Sequence, residues 1–386
     1  MRDIIFTVMP MFVCLFWSVM LTFELHADGR NRPRLHLLIF MLTATLLYFG
    51  HCAFFSHSKD IIPITDTIYV ATNLAVYPLF YIYICSLTTR YHHQKLRWIL
   101  LIPAVAGGFT VGIHYALMNK AEQLQFIETY LYDDMREGLT GLALKQAFVH
   151  DVCKVAFAIL IIPVLAYGRQ RIREYETQVK STYADVEDKT LIPVNHMLVA
   201  FLVTSVASFV INLVGRQLFV EATWLLPIPS LLFSVLLFAI GYIGYKQQFS
   251  MENMEEDELE ADNLGIDQST ISETRQRIEQ LMEQELLFRQ PNLRIIDIVQ
   301  RLGSNRNYIY QAVNREMGMS FNEYVNRLRI DYADELMNSY PNKPLSEIAE
   351  QSGFTSSTSF YRNFKLYKGV GPKEYLQDLR TKQNTK

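Results

Sequence analysis

Four residues near the C-terminus carry side chains that can recognise the edges of DNA bases: Arg306, Asn307, Tyr310 and Gln311. An arginine can form two hydrogen bonds with guanine, and an asparagine or glutamine can do the same with adenine. The apolar residues Ile309 and Val313 fall on the core-facing side of the same predicted helix. On an isolated helix we would interpret the polar residues as an ordinary solvated face, but the surrounding sequence favours DNA contact.

The pattern around these residues occurs twice. In residues 295–314 and again in residues 345–365, a short helix with apolar spacing precedes a turn containing Gly303 or Gly353 and a second helix rich in small polar and basic residues. This order predicts two helix-turn-helix motifs, in which the second helix enters the DNA major groove. A helix predicted over Ser320–Met337 lies between the copies. If rigid, it would separate the two second helices by roughly 34 Å, one turn of the duplex.

Residues 271–380 resemble the DNA-binding domain of the AraC/XylS family of bacterial transcription regulators. In the second copy the resemblance rests on Ile348-Ala349-Glu350-Gln351-Ser352-Gly353-Phe354, Phe360, Phe364-Lys365, Tyr367, Gly369, Pro372 and Tyr375. In the first copy it rests on Leu302-Gly303-Ser304, Gly318-Met319-Ser320-Phe321 and Arg327-Leu328-Arg329-Ile330. The resemblance covers under a third of the chain and implies promoter binding by this domain.

The family resemblance also implies which residues of the second copy contact bases: Ser357, Thr358 and Arg362. Lys365, Lys368 and Lys373 are better placed for phosphates, which anchor a protein without specifying sequence. The first copy departs from the family, because Val313-Asn314 stands where Phe-Lys is usual. This departure removes a lysine that would pair with phosphate.

Seven apolar runs fill the first two thirds of the chain: Ile4–Phe23, Leu35–Phe55, Ile68–Leu87, Trp98–Met118, Val152–Tyr167, Met197–Val214 and Trp224–Tyr245. Most are close to the ~20 residues that a helix needs to cross a bilayer, although the fifth is short unless it starts near Phe148. We therefore predict an all-α chain of three domains. A seven-span transmembrane sensor domain occupies residues 1–246, an acidic cytoplasmic linker residues 247–270, and the DNA-binding domain residues 271–386.

Loop charges predict the orientation in the membrane. Basic residues such as Arg32, Arg97 and Arg171 concentrate in the first, third and fifth loops, and the even loops carry fewer. Because cytoplasmic loops are enriched in lysine and arginine, the odd loops are predicted to be cytoplasmic. The N-terminus would then lie outside the bacterial inner membrane, and the C-terminal domain would lie in the cytoplasm with the DNA.

The predicted linker is strongly acidic. Residues 251–273 include nine acidic residues and no basic one, although the formal net charge of the whole chain is only −3. Repulsion between like charges would extend such a segment and keep it away from anionic lipid and DNA. We interpret it as a solvated spacer; a regulatory arm that lies on the DNA-binding domain is the alternative.

Ionisable residues near the outer ends of the predicted spans indicate a ligand site: Asp66, His114, Asp151, Lys154 and Arg216. Burying a charge in lipid is costly, so such residues favour a functional interpretation. Pro227 and Pro229 would break the outer part of the seventh span and open backbone groups toward a cavity. We predict an outward-facing polar pocket for a small ligand. The alternative is that these groups reach the lipid headgroups or pair structurally.

These features together predict a membrane-embedded one-component transcription regulator controlled by a signal that the membrane domain senses. Its partners would be double-stranded DNA, the lipid bilayer, a second copy of the chain, RNA polymerase and an unknown small molecule or membrane signal. Neither a cofactor nor a metal is predicted. The alternative is a membrane transporter or receptor whose cytoplasmic domain reports its state. An enzyme is disfavoured because no GxSxG, HExxH or Walker A motif occurs.

Overall fold

A computed structural model describes residues 2–27, 31–89, 95–187, 189–214, 225, 227–247, 250 and 268–384. Within these ranges the chain folds into helices without a β-strand, apart from one isolated antiparallel bridge between Tyr183 and Arg294. The all-α prediction is therefore confirmed. The chain divides into two compact units: Met1–Arg173 with Leu191–Glu252, and Glu174–Thr190 with Asn253–Lys386.

The first unit is built from long apolar helices. They are α1 (Arg2–Ala27), α2 (Arg32–Phe55), α3 (Ile62–Thr88), α4 (Ile102–Leu117), α5 (Lys120–Phe126), α6 (Gly141–Thr182), α7 (Ile192–Val214) and α8 (Pro227–Lys246). A 3₁₀ segment, Lys95–Leu101, leads into α4, and a π-helical turn, Ile127–Tyr132, follows α5. The last residues of α6, from Glu174 onward, belong to the second unit.

Six helices are long and apolar enough to cross a membrane: Ile5–Ala27, Arg32–Phe55, Ile62–Thr88, Arg97–Leu117, Gly141–Thr182 and Pro227–Lys246. In α7 the described apolar part is shorter, Ile192–Val203, so the count of seven spans remains a prediction. The fifth run is not short in the fold, because α6 continues well beyond both of its ends. Good helix formers, including Arg, Gln and Glu, extend it past the apolar residues.

Small residues allow close contact between helices of the first unit. A Cβ atom added to Gly108 of α4 would lie 2.7 Å from the Cβ of Ala71 in α3. One added to Gly241 of α8 would lie 2.2 Å from the indole of Trp17 in α1. Pro227 begins α8 and Pro229 lies in its first turn, where proline is tolerated because the first N–H groups of a helix have no partner within it. The two prolines, which were predicted to break the outer part of the seventh span, therefore mark the start of α8.

The second unit contains seven helices in the ranges described: α9 (Gln268–Gln284), α10 (Ile295–Leu302), α11 (Arg306–Gln311), α12 (Phe321–Ser339), α13 (Leu345–Gln351), α14 (Ser357–Lys368) and α15 (Pro372–Asn384). A π-helical turn, Ala312–Glu316, extends α11. The pairs α10–α11 and α13–α14 are the two predicted helix-turn-helix motifs. We call α11 and α14 the first and second reading helices.

Helix α12 connects the two motifs by contributing to both of their cores. Its first half places Phe321 and Val325 in the core of the first motif, and its second half places Ile330, Ala333 and Met337 in the core of the second. All five side chains are fully buried. Because one continuous helix belongs to both cores, it fixes the separation of the two motifs, as the sequence indicated.

The turn of the second motif requires glycine. Gly353 has a φ of +89°, and a Cβ atom there would lie 2.6 Å from the carbonyl oxygen of Arg289. In the first motif Gly303 has a φ of +56° and is open around its Cα. Glycine adopts positive φ without steric cost, whereas other residues rarely do. Both turns therefore have the backbone conformation that the sequence pattern predicted.

Candidate DNA-binding interface

The first reading helix is held by its apolar side and capped by Asn305. The side-chain oxygen of Asn305 accepts a hydrogen bond from the backbone N–H of Asn307 at 2.8 Å, which stabilises the start of the helix. Ile309 and Val313 are fully buried, which confirms their prediction as core residues. The four predicted base-reading residues lie on this helix, Asn307 and Tyr310 exposed and Arg306 and Gln311 partly buried.

The second reading helix is longer and presents a more open polar face. Its cap is Ser356, whose hydroxyl oxygen accepts a hydrogen bond from the backbone N–H of Ser359 at 3.1 Å. Phe360 and Phe364 are fully buried, again as predicted. The four predicted contact residues of this helix are all exposed: Ser357, Thr358, Arg362 and Lys365. The fold therefore gathers all eight proposed DNA-contacting residues on the two reading helices.

The departure of the first motif from the family has a visible structural consequence. Val313 fills the core position that Phe364 fills in the second motif. Asn314 turns its side-chain amide back to the carbonyl oxygen of Tyr310 at 3.0 Å, whereas Lys365 at the matching position is exposed. The second motif thus presents the exposed cation of Lys365, whereas at the matching position of the first motif the Asn314 amide is hydrogen-bonded to the backbone of its own helix.

Lys368 has acidic partners within the domain. Its ammonium lies 2.7 Å from a carboxylate oxygen of Asp334 and 3.3 Å from one of Asp331. Burial lowers the pKa of Lys368, but the hydrogen bonds and charges of the two carboxylates outweigh it, so the pKa is raised above its usual value. This lysine therefore serves to attach α14 to α12. Of the predicted phosphate contacts, exposed Lys365 is better placed.

Two reading-helix arginines contact the segment Glu174–Thr190, which we call the strap. Arg306 donates a hydrogen bond from Nη2 to the hydroxyl of Thr182 at 3.1 Å. Nη1 of Arg362 lies 3.4 Å from Oε1 of Glu187. The basic residues of the fifth loop predicted its orientation in the membrane, but these contacts were not predicted. The available sign was the excess of acidic over basic residues in the strap, five against two.

The first unit contains a cavity of about 730 Å³. Among the described residues, one part of its wall is polar and formed by Asp66, Arg136, His150, Asp151 and Lys154. The remaining wall is mostly apolar and includes Leu47, Val70, Phe201, Phe233 and Leu236. A site of this size with a few convergent polar groups is typical of small-molecule pockets.

The charged groups of this wall form two clusters. Oδ2 of Asp66 lies 2.9 Å from Nε2 of His150 and accepts a hydrogen bond from the hydroxyl of Tyr115 at 2.8 Å. In the other cluster, Asp151 pairs with Arg136 at 2.5 Å. Asp151 also accepts a hydrogen bond from the hydroxyl of Tyr130 at 2.8 Å.

Of the five predicted ligand residues, the fold brings together Asp66, Asp151 and Lys154. His114 is not part of the described cavity wall, and its Nδ1 lies 2.9 Å from the side-chain oxygen of Gln146. Arg216 lies outside the described residues. His150 was not among the predicted ligand residues, although it directly precedes Asp151 in the sequence.

The geometry defines the class of the second unit. Two short helix pairs, each with a tight turn and an exposed polar face on the second helix, are joined by one shared helix. This arrangement belongs to DNA-binding domains of the helix-turn-helix class. Sequence comparison agrees, since residues 298–378 match the family described as "Helix-turn-helix domain".

The domain is of the AraC type, which confirms the resemblance found in the sequence. The chain is similar to the Msm operon regulatory protein of Streptococcus mutans, with 28% identity over 88 residues, covering 23% of this chain and 31% of the relative. It is also similar to the melibiose operon regulatory protein of Escherichia coli K12, with 30% identity over 93 residues, covering 24% and 30%. The YtdP HTH-type transcriptional regulator of Bacillus subtilis is 34% identical over 89 residues, covering 23% and 11%.

Each of the three similarities covers about a quarter of this chain. The chain spans about a third or less of the length of these curated relatives. No solved structure matches the chain significantly.

Proposed function

We propose that this chain is a membrane-embedded one-component transcription regulator. In this proposal the second unit binds promoter DNA in a sequence-specific manner through its two reading helices. The first unit spans the bilayer and senses a signal that controls this binding. The proposal assigns sensing and response to one chain.

One observation carries the DNA-binding part of the proposal. Eight side chains suited to base or phosphate contact lie on the two reading helices of a domain whose class binds DNA, and six of them are exposed. Arginine supplies two donors for the acceptors O6 and N7 of guanine, whereas asparagine or glutamine supplies one donor and one acceptor for N7 and the N6 amino group of adenine. Lys365 supplies a charge for the phosphate backbone.

Genome-wide crosslinking of the full-length protein to DNA tests this part. We expect discrete promoter peaks for the unchanged protein. The double variant Arg306→Ala/Arg362→Ala should lose them, because two lost base contacts of about 1–3 kcal/mol each weaken binding by about 30-fold or more. Arg275→Ala is the matched control, since Arg275 lies on α9 and pairs with Glu279 at 3.0 Å.

The control makes the outcomes distinct. Peaks that persist in Arg275→Ala and disappear in the double variant support sequence recognition by the reading helices. Diffuse binding that is the same in all three proteins would contradict the proposal. It would favour a transporter or receptor whose cytoplasmic domain reports its state.

The proposed location is the bacterial inner membrane, with the N-terminus outside and the second unit in the cytoplasm. Support comes from the six helices long and apolar enough to span a bilayer and from the basic residues of the odd loops. Labelling of single cysteines in intact cells, with a reagent that does not cross the membrane, tests the orientation. A cysteine at residue 137, in the fourth loop outside the membrane, should be labelled. A cysteine at residue 170, in the fifth loop on the cytoplasmic side, should be protected. The reverse result would overturn the orientation.

The sensing part of the proposal is supported by the cavity of the first unit. Its paired charges at one wall and apolar residues elsewhere suit a small ligand with a polar end and an apolar body. His150→Gln, which alters the Asp66 cluster, should change the output of a reporter driven by a crosslinked promoter. His114→Gln is the control, because His114 does not line the described wall. Equal output from both variants, at equal amounts in the membrane, would contradict this role.

We also propose that the regulator acts as a homodimer and contacts RNA polymerase at its promoters. Two linked DNA-binding units raise the effective concentration of the second at an adjacent site, and confinement to a membrane favours their encounter. Co-purification of two differently tagged copies tests the dimer, and an active protein that stays monomeric would refute it. Promoter-dependent crosslinking to polymerase tests the second contact.

A further inference from the structure

The strap is built into the second unit by backbone hydrogen bonds. Ala184 donates its N–H to the carbonyl oxygen of Leu293 at 2.9 Å, beside the bridge between Tyr183 and Arg294. The Ala184 carbonyl accepts hydrogen bonds from the side-chain amides of Asn322 and Asn326 on α12. Ala184 itself is fully buried in the first motif's core. This part of the strap is therefore an anchored element of the DNA-binding unit.

A buried ion pair strengthens the anchor. Arg329 of α12 is fully buried, and its guanidinium donates to both carboxylate oxygens of Asp185, at 2.8 and 3.3 Å. The same carboxylate accepts a hydrogen bond from the backbone N–H of Asn292 at 2.9 Å. A buried charge needs such compensation, so the strap supplies a group that the domain requires.

Two residues beyond the anchor, the strap reaches the second reading helix. Oε2 of Glu187 accepts a hydrogen bond from the hydroxyl of Ser356, the cap of α14, at 2.6 Å. Its Oε1 lies 3.4 Å from Arg362. A carboxylate at this place interacts favourably with the helix N-terminus, which is also where backbone geometry favours an anion such as a DNA phosphate.

The contacts of the strap coincide with the residues proposed for DNA recognition. Thr182 engages Arg306 of the first reading helix, and Glu187 engages Arg362 of the second. Glu187 keeps about a quarter of its side chain exposed, unlike the buried Asp185. A partly exposed pair of this kind contributes less to stability than a buried one, and Arg362 can exchange Glu187 for another anion.

We propose that the strap is an intramolecular inhibitor of DNA binding, with the Glu187 carboxylate occupying the place of a DNA phosphate at the second reading helix. This inference rests on the proposed DNA-binding function. Binding to DNA requires Glu187 to leave Ser356 and Arg362, while the Asp185–Arg329 anchor remains. The strap includes the last residues of α6, and one residue, Leu191, separates it from α7, so movement of those helices acts on it through the chain.

The test measures DNA affinity of the full-length protein in lipid nanodiscs. The probes are a labelled 40-base-pair duplex from a crosslinked promoter and one of unrelated sequence. Glu187→Gln removes the charge and keeps the size of the side chain. We expect about three- to tenfold tighter binding to both duplexes, because the partly exposed ion pair with Arg362 and the carboxylate at the helix end no longer compete with phosphate.

Glu176→Gln is the matched control. It removes the same charge from the same strap, and for Glu176 no hydrogen bond or ion pair to a reading helix is found in the part of the chain described. It therefore measures general repulsion between the strap and DNA. Glu187→Gln should raise DNA affinity less in an Arg362→Ala background than in the unchanged protein, because one of the groups that Glu187 contacts is already absent there.

The outcomes separate this inference from the proposed function. Equal affinities of Glu187→Gln and Glu176→Gln, or weaker binding by Glu187→Gln, would overturn the inhibitory role even if promoter DNA is preferred. Equal affinity of every protein for the two duplexes would refute sequence recognition. Even then, the affinities of Glu187→Gln and Glu176→Gln for the unrelated duplex would show whether Glu187 inhibits DNA binding. Hydrogen exchange at the start of α14 verifies that Glu187→Gln leaves the helix folded.

Discussion

Replacing Asp185 with alanine should strongly destabilise the second unit. The change removes the only carboxylate found beside the buried Arg329 guanidinium in the described residues. The carbonyl oxygens of Phe288 and Gln290 remain as hydrogen-bond acceptors at 2.7 and 2.9 Å, but they carry no full negative charge. Breaking one partner of a buried ion pair typically costs about 3–5 kcal/mol. Since whole domains are stable by only about 5–15 kcal/mol, this loss would be a large share.

Native-state hydrogen exchange of the full-length protein in nanodiscs measures this loss. The middle of α12 contributes side chains to both cores, so we expect its amides to exchange through opening of the unit. A loss of 3–5 kcal/mol corresponds to exchange faster by roughly 10²- to 10⁴-fold when opening is in rapid equilibrium. Amides of α2 and α3 in the first unit should keep their rates, which makes them an internal reference.

The matched control is Asp331→Ala. Asp331 also pairs with a cation of the second unit, Lys368, at 3.3 Å, but more than half of its side chain is exposed. Removing an exposed partner should cost about 1 kcal/mol or less. If the two alanine variants exchange equally fast in α12, the Asp185–Arg329 pair does not stabilise the unit. The ion pair would then add nothing to the backbone hydrogen bonds that attach the strap.

Two further predictions concern the turns and caps of the motifs. Gly353→Ala should lower the free energy of unfolding of the second unit by about 2 kcal/mol or more, because the strain of positive φ and the clash with the Arg289 carbonyl add together. Gly303→Ala should lower it by about 1 kcal/mol, because the space around Gly303 is open and only the φ strain remains. Equal losses for the two variants in the same exchange experiment would refute this. The carboxylate of Glu323 accepts hydrogen bonds from the backbone N–H and the hydroxyl of Ser320. Both lower the pKa of Glu323 from its ordinary value of 4.5, and the backbone hydrogen bond has the larger effect. Its folded pKa is thus below the unfolded value, so its stabilisation is present above pH 4.5 and lost as pH falls through the folded pKa. The melting temperatures of the unchanged protein and Glu323→Gln should therefore differ at neutral pH and converge in acid, and a difference independent of pH would contradict the assignment.

The local pattern was enough to predict the motif cores. Ile309, Val313, Phe360 and Phe364 recur at helical spacing, and all four are fully buried. Helical periodicity is a property of neighbouring residues, so a single sequence contains it. The shared helix was predicted as Ser320–Met337 and is found at Phe321–Ser339 for the same reason.

The strap could not be predicted in this way. Asp185 and Arg329 are separated by 144 residues, and no spacing rule connects them. The basic residues of the loop also had a sufficient explanation in membrane orientation. Arg329 itself was the better indication, because it lies on α12 between the apolar positions Val325 and Ala333, one turn away on each side. A charged residue in a buried stripe requires a partner from elsewhere in the fold.

Asp185 and Glu187 of the strap differ in the way that a removable inhibitor requires. Asp185 is almost fully buried and pairs with a fully buried arginine, so its departure would leave an uncompensated charge in the core. Glu187 is partly exposed, and both of its partners at the reading helix can be satisfied equally well by a phosphate oxygen. Separation of Glu187 from α14 therefore costs far less than separation of Asp185 from α12. The strap can therefore release the proposed DNA-contacting face through Glu187 while Asp185 keeps it attached to the domain.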